Sequence, residues 1–259
     1  MTAAEGATLG LALVLGAVIG SFLAVVLIRW PQGRSFIGGR SECDACHAPL
    51  RARDMVPILS YALNRGRCLH CGAAIDPRHV AMEAGAALVA LVAVIAHPLP
   101  VAAATALFGW WLLILAALDL EHQWLPDALV LPLALAGLAV GWIGIGPALG
   151  DRAIGVLAGY GALALIAFAY RALRGREGLG GGDPKLLAAI GAWLGWQQLP
   201  FVLLGAGLIG LGWVVAMRMQ GRPVSATDRL PLGTLMGLAA WPLWLLAAGR
   251  GHGLVTLLS

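Results

Sequence analysis

Two carboxylates stand where an apolar chain gives little reason for charge. Asp183 ends the tetrad Gly180-Gly181-Gly182-Asp183 and is followed by Pro184, Lys185 and a long apolar run from Leu186. Asp119 closes another apolar run, which begins at Trp110 and Trp111, before residues 120–127 turn the chain back. Of the 13 acids in the chain, only Glu83, Asp119, Asp127 and Asp183 lie in or beside apolar segments. Two carboxylates at one depth in a low-dielectric setting do not both ionise easily, so they share a proton. The ionised partner can then draw a proton from water while the protonated one polarises a peptide carbonyl, which hydrolyses an amide with no metal or covalent intermediate. Gly180 and Gly182 would free the backbone for unusual dihedrals and close substrate approach, and Pro184 suits a first helical turn. Either acid alone has a second reading: a helix N-terminus favours a carboxylate at Asp183 with no chemistry attached, and an acid at a span's end, as Asp119 is, can simply face water.

The second group is made of thiols. All four cysteines fall in one polar stretch as Cys43-x-x-Cys46 and Cys68-x-x-Cys71, with 21 residues between the inner pair. Two such knuckles predict a tetrahedral, four-thiolate structural zinc (Zn2+) site with no open position for catalysis. Gly66 and Gly72 supply the tight backbone that knuckles need, and a reducing compartment disfavours disulfides.

The elements that position these groups follow from composition. Apolar residues make up 60% of the chain and charged residues 12%, with a mean hydropathy of +0.85. These values predict an all-α, polytopic membrane protein, since a spanning helix needs about 20 mostly apolar residues. Eight windows qualify: 7–28, 80–96, 100–118, 128–147, 153–170, 186–198, 199–217 and 230–248. The sixth is short, and Gly191, Gly195, Gln197 and Gln198 blur its boundary with the seventh. The expected organisation is a first transmembrane helix (1–29), a tetracysteine loop (30–79) and a transmembrane helical bundle (80–259).

Basic residues orient the map. Arg29, Arg34, Arg40, Arg51, Arg53, Arg65, Arg67 and Arg78 flank or fill the first loop, and Arg171, Arg174, Arg176, Lys185, Arg218, Arg222 and Arg229 fall on the same side. Only Arg152 and Arg250 fall opposite. The basic side is therefore expected to be cytoplasmic, with Asp119 and Asp183 both at that face and both termini outside it. The net charge of +4 then reports topology and gives no case for nucleic acid as a partner. The first span carries Glu5 before it and Arg29 after it, the opposite of a cleavable signal peptide.

Other residues have several uses open to them. Glu121 and His122 could tune Asp119 or simply face solvent. Lys185 could act on Asp183 or bind a lipid headgroup, and Asp127 could cap the helix after Pro126 or assist catalysis. Glu83 could pair with Arg78 or His79, or serve a methylation site. Glu42, Asp44, Asp54 and Asp76 could attract a basic peptide, and the ten tryptophans read as membrane-interface anchors.

The segment 178–195, with its Gly-x-Gly-Asp core, resembles the bacterial type IV prepilin peptidases, and that core alone is also similar to the motif of presenilin-type intramembrane proteases. The likeness extends to Gly20-Ser21-Phe22-Leu23-x-Val25-Val26 with Arg29 and Pro31, to both Cys-x-x-Cys pairs, with Arg65-Gly66-Arg67 before the second, and to Asp119 with Leu125-Pro126-Asp127. It covers nearly the whole chain. The resemblance implies a bifunctional aspartic endopeptidase of the inner membrane, with Asp119 and Asp183 catalytic. Its substrates would be prepilin or pseudopilin precursors of the pilus and type II secretion machinery, cut just after a glycine. A second activity would methylate the new N-terminal residue with S-adenosylmethionine, in the form associated with Cys43, Cys46, Cys68 and Cys71. Ala24 stands where that family usually has Asn, and residues 53–60 depart from its Asp-Asn-Ile-Pro pattern, so methylation is the less direct expectation. No Gly-rich Rossmann signature marks a site for the donor. The competing class is a proton- or cation-coupled transporter with a metal-sensing loop.

Overall fold

The computed structural model describes residues 2–38, 41–175, 178–221 and 230–249. Arg40, Arg176, Arg222, Arg229 and Arg250, used above to orient the chain, lie outside these residues. Helices occupy every predicted window: α1 (Ala3–Arg29), α3 (Pro77–Ala96), α4 (Val101–His122), α5 (Asp127–Trp142), α6 (Leu149–Arg174), α7 (Gly182–Leu194), α8 (Leu199–Met219) and α9 (Leu232–Ala248), with a short α2 (Leu59–Leu63) in the cysteine stretch. Among the described residues there is no strand, only the isolated bridges Glu42–Pro49 and Arg67–Ala74. Five helices (α1, α3, α4, α6 and α8) are long and apolar enough to cross a membrane, while α5 and α9 are shorter apolar helices. The chain divides into two compact units, 1–114 and 115–259, the division falling within α4.

In the first unit, α1 opens with a capping box between Thr2 and Glu5, which satisfies backbone N–H groups at a helix start. Ala12, Gly16, Gly20 and Ala24 then recur at four-residue spacing as buried positions. A Cβ at Gly16 would lie 2.6 Å from the Ala86 carbonyl oxygen, and one at Gly20 would lie 2.5 Å from that of Met82. Small residues at this spacing let two apolar helices pack backbone to backbone. Asp76 caps α3 by accepting from the Arg78 N–H at 2.9 Å, and Trp110 of α4 donates its indole N–H to Ala86 at 2.9 Å.

The second unit is organised around α7. Every residue of α7 from Asp183 to Leu194 is buried except Lys185. A helix apolar on all sides belongs inside its neighbours, and α5, α6, α8 and α9 all contact it. At about 1.5 Å per residue, 13 residues fall well short of a bilayer core of about 30 Å. Shielding removes the need for length, because carbonyls that do not face lipid can be met by protein. Gly195, at φ +73°, breaks the chain between α7 and α8, where the sequence had left the boundary blurred.

Arg152 is fully buried. Its guanidinium donates to the carbonyls of Gly137 at 2.6 Å, Pro147 at 2.9 Å and Ala192 at 3.0 Å, also to that of Ile145, and lies over the Trp244 ring. The sequence reading had counted it as a loop charge. Trp193 and Trp244 are also fully buried and meet edge to face at 5.4 Å, so these two are core residues rather than interface anchors.

Candidate active site and metal centre

In the first unit, residues 41–75 build two knuckles with one hydrogen-bond pattern. Cys43 N–H donates to Ala48, His47 N–H to Cys43 and Leu50 N–H to Ser41; in the second knuckle Cys68 donates to Ala73, Gly72 to Cys68 and Ile75 to Gly66. The turn in each needs a left-handed residue, His47 at φ +56° in one and Gly72 at φ +72° in the other. These turns converge the four Sγ atoms to within 4.8 Å of one another, with Cys43 and Cys71 at 3.9 Å. Zinc–thiolate bonds of about 2.3 Å in a tetrahedron place sulfurs about 3.8 Å apart, so the donor set fits zinc. The thiols are free of disulfides. N–H groups of Cys71 and His70 aimed at Cys68 bring its thiol down to about 6. The N–H of Ala73 acts on Cys71 in the same direction, but the neighbouring thiols, Cys46 foremost, push Cys71 up to about 11.

Acids around the knuckles are engaged locally. Asp44 pairs with Arg34 at 3.0 Å, Glu42 lies 3.4 Å from His47, and Asp54 accepts from the Arg51 N–H at 3.2 Å. Asp76 binds the Arg78 side chain, which holds its carboxyl below the usual carboxylate range. Little is left over to attract a basic peptide. Glu83 is buried and accepts from the Ile58 N–H at 2.7 Å, a partner that residue spacing could not reveal.

The second unit holds both aspartates, and both are buried. Asp119, near the end of α4, accepts from the Thr234 N–H at 2.8 Å and from its hydroxyl at 3.2 Å, while that hydroxyl also reaches the Ala116 carbonyl at 2.8 Å. Thr234 lies in the first turn of α9, so Asp119 caps another helix from a distance. Asp183 sits in the first turn of α7 and accepts from the Gly180 N–H at 3.1 Å. Each acid therefore meets the positive end of a helix dipole.

Leu125 joins the two settings. A Cβ at Gly182 would lie 2.8 Å from Leu125 Cβ; one at Gly233 would lie 2.9 Å from Leu125 Cδ1 and 3.0 Å from Asp119 Oδ2. None of Gly180, Gly181 and Gly182 has positive φ. The unusual dihedrals expected of these glycines are therefore not used, and at Gly182 the missing side chain makes room for Leu125. Lys185 donates to both carboxylate oxygens of Asp127 at 2.8 Å. Asp127 lies in the first turn of α5 behind Pro126, which holds the capping position. Glu121 and His122 lie 3.7 Å apart. Thr234 and Gly233 did not stand out in the sequence, although the Leu230-Pro231-Leu232-Gly233 stretch was an available signal; Leu125 did, but only as part of the Leu125-Pro126-Asp127 motif and without its contact to Gly182.

The fold and its sites define an all-helical membrane protein with a four-thiol cluster in one unit and two buried carboxylates in the other. Residues 14–97 match the bacterial peptidase A24 N-terminal domain, and residues 106–215 match the type IV leader peptidase family. Similar proteins include the prepilin leader peptidase/N-methyltransferases of Aeromonas salmonicida (strain A449), 37% identical over 86% of each chain, and of Burkholderia pseudomallei (strain K96243), 38% identical over 89% of this chain and 83% of that one. Another, from Dickeya chrysanthemi, is 41% identical over 77% of this chain and 79% of its own. This chain belongs to the type IV leader peptidase family. No solved structure matches it.

Proposed function

We propose that the protein is a membrane aspartic endopeptidase that removes the basic leader of type IV prepilins or type II secretion pseudopilins after a glycine. Asp119 and Asp183 are its catalytic pair, as their joint burial beside two helix N-termini supports. The hydrogen bonds divide their roles. Asp119 accepts the Thr234 N–H and shares the Thr234 hydroxyl proton with the Ala116 carbonyl, which favours its anion and suits it to take a proton from water; Asp183 accepts one hydrogen bond and holds the shared proton toward the scissile carbonyl. Cleavage takes place at the cytoplasmic face of the inner membrane, with both termini periplasmic, as the arginine distribution supports. Gly180 and Gly182 support the Asp183 loop, and Lys185 holds it to Asp127.

The first unit carries the second activity, N-methylation of the newly exposed residue with S-adenosylmethionine, and Cys43, Cys46, Cys68 and Cys71 hold a structural zinc. The tetracysteine loop shapes that unit rather than performing chemistry. The relatives' printed names join the two activities, and the match of residues 106–215 to the type IV leader peptidase family supports cleavage in the second unit. Incubation of purified protein in detergent with a prepilin tests the peptidase. Asp119→Asn and Asp183→Asn should each lower cleavage by roughly 10²–10⁴-fold; normal cleavage by both would remove the dyad.

A further inference from the structure

The first unit forms a half-open cavity of about 930 Å³ between α1, the knuckles and the start of α3. Ligand cavities run to about 300–1,000 Å³, so it has room for a nucleoside-sized molecule. Two lining residues carry charge that the protein leaves available. Glu83 is 6% exposed and commits one carboxylate oxygen to the Ile58 N–H; its other oxygen has no hydrogen bond among the described residues. Arg29 likewise has no ion pair or side-chain hydrogen bond among them. The charges of both reach His79, which also lines the cavity. A buried carboxylate that lacks a full set of partners is costly, and an anion and a cation set in one wall complement a zwitterion. Phe22, Phe36 and Tyr61 add aromatic surface.

A basic peptide fits this wall poorly, since Asp44 and Asp76 are already tied to Arg34 and Arg78. We propose that the cavity binds the methyl donor: Arg29 holds the carboxylate of its methionine part, Glu83 faces its cationic end, and the aromatic side chains receive the adenosine. The inference rests on the methylating activity proposed above.

The test is equilibrium binding of radiolabelled S-adenosylmethionine to the full chain, loaded with zinc and held in detergent. Glu83→Gln, which keeps an acceptor for Ile58, and Arg29→Gln should each weaken binding by about tenfold or more, the range for hydrogen bonds to charged groups. Decarboxylated S-adenosylmethionine should compete about tenfold less well than the intact donor on wild type and equally well on Arg29→Gln. Zinc content reports whether each variant keeps its knuckles. If a variant loses zinc, the two competitors on wild type decide alone. Binding that neither substitution changes, or a wild type indifferent to the missing carboxylate, overturns the site and leaves methylation standing. A wild type that binds no donor overturns methylation itself.

Discussion

The thiol cluster and the aspartate pair are built in opposite ways. The cluster is local: two short knuckles, each closed by its own backbone hydrogen bonds, present sulfurs that are partly or fully exposed. The aspartate pair is assembled at long range, with Asp119 held by a residue 115 positions away and both acids buried. A local site depends on turn geometry and a metal, whereas a long-range site depends on helix packing. The first should fail alone, and the second should fail with its unit.

Zinc removal tests that separation most strongly. A chelator, or Cys43→Ser combined with Cys46→Ser, should empty the cluster and unfold the knuckles, because binding free energy at such sites is folding free energy. Methylation of a prepilin should then fall further than its cleavage, measured in one assay; equal losses would join the two regions. Thr234→Val comes next. It removes one hydrogen bond to Asp119 while keeping the backbone one, and a bond to a charged group is worth about 1.5–3 kcal/mol, so kcat/KM should drop by roughly 10–100-fold with zinc content unchanged. Gly182→Ala drives a methyl group into Leu125 and should lower thermal stability by about 1–3 kcal/mol, the range for overpacking, with a further loss of cleavage.

The smallest effect lies in the cluster itself. Cys68 titrates at about 6 and Cys71 at about 11, and only the thiolate is nucleophilic. When chelator and alkylating agent are added together at neutral pH, Cys68 should therefore be trapped before Cys71, while the N–H groups of Cys71 and His70 still face it. Its advantage should fade as the pH falls below 6, where its thiolate is protonated. Mass spectrometry of the labelled peptides reads the order, and a reversed order would break the account of these knuckles.

The same contrast explains what was legible in the sequence. The cysteine pairs could be read directly, since Gly66 and Gly72 stand beside them and both adopt positive φ. The helices were legible from apolar run length, but the break at Gly195 was not, because Gly191, Gly195, Gln197 and Gln198 offered several places for it. Asp119 and Asp183 could be matched only through a topological map. Thr234 and Gly233, and the contact that Leu125 makes with Gly182, stayed hidden because they depend on how helices meet, which no local pattern encodes. Arg152 was misread for the same reason, since nothing beside it in sequence shows the carbonyls that solvate it.

That buried guanidinium bears on how the protein is made. Its partners include Gly137 and Ile145, synthesised before it, and Ala192, synthesised 40 residues after it. Without them a guanidinium buried inside the protein would lack the carbonyls that solvate it. The burial of this guanidinium is therefore completed only once α7 has been synthesised, which couples the packing of α5 and α6 to a segment that follows them.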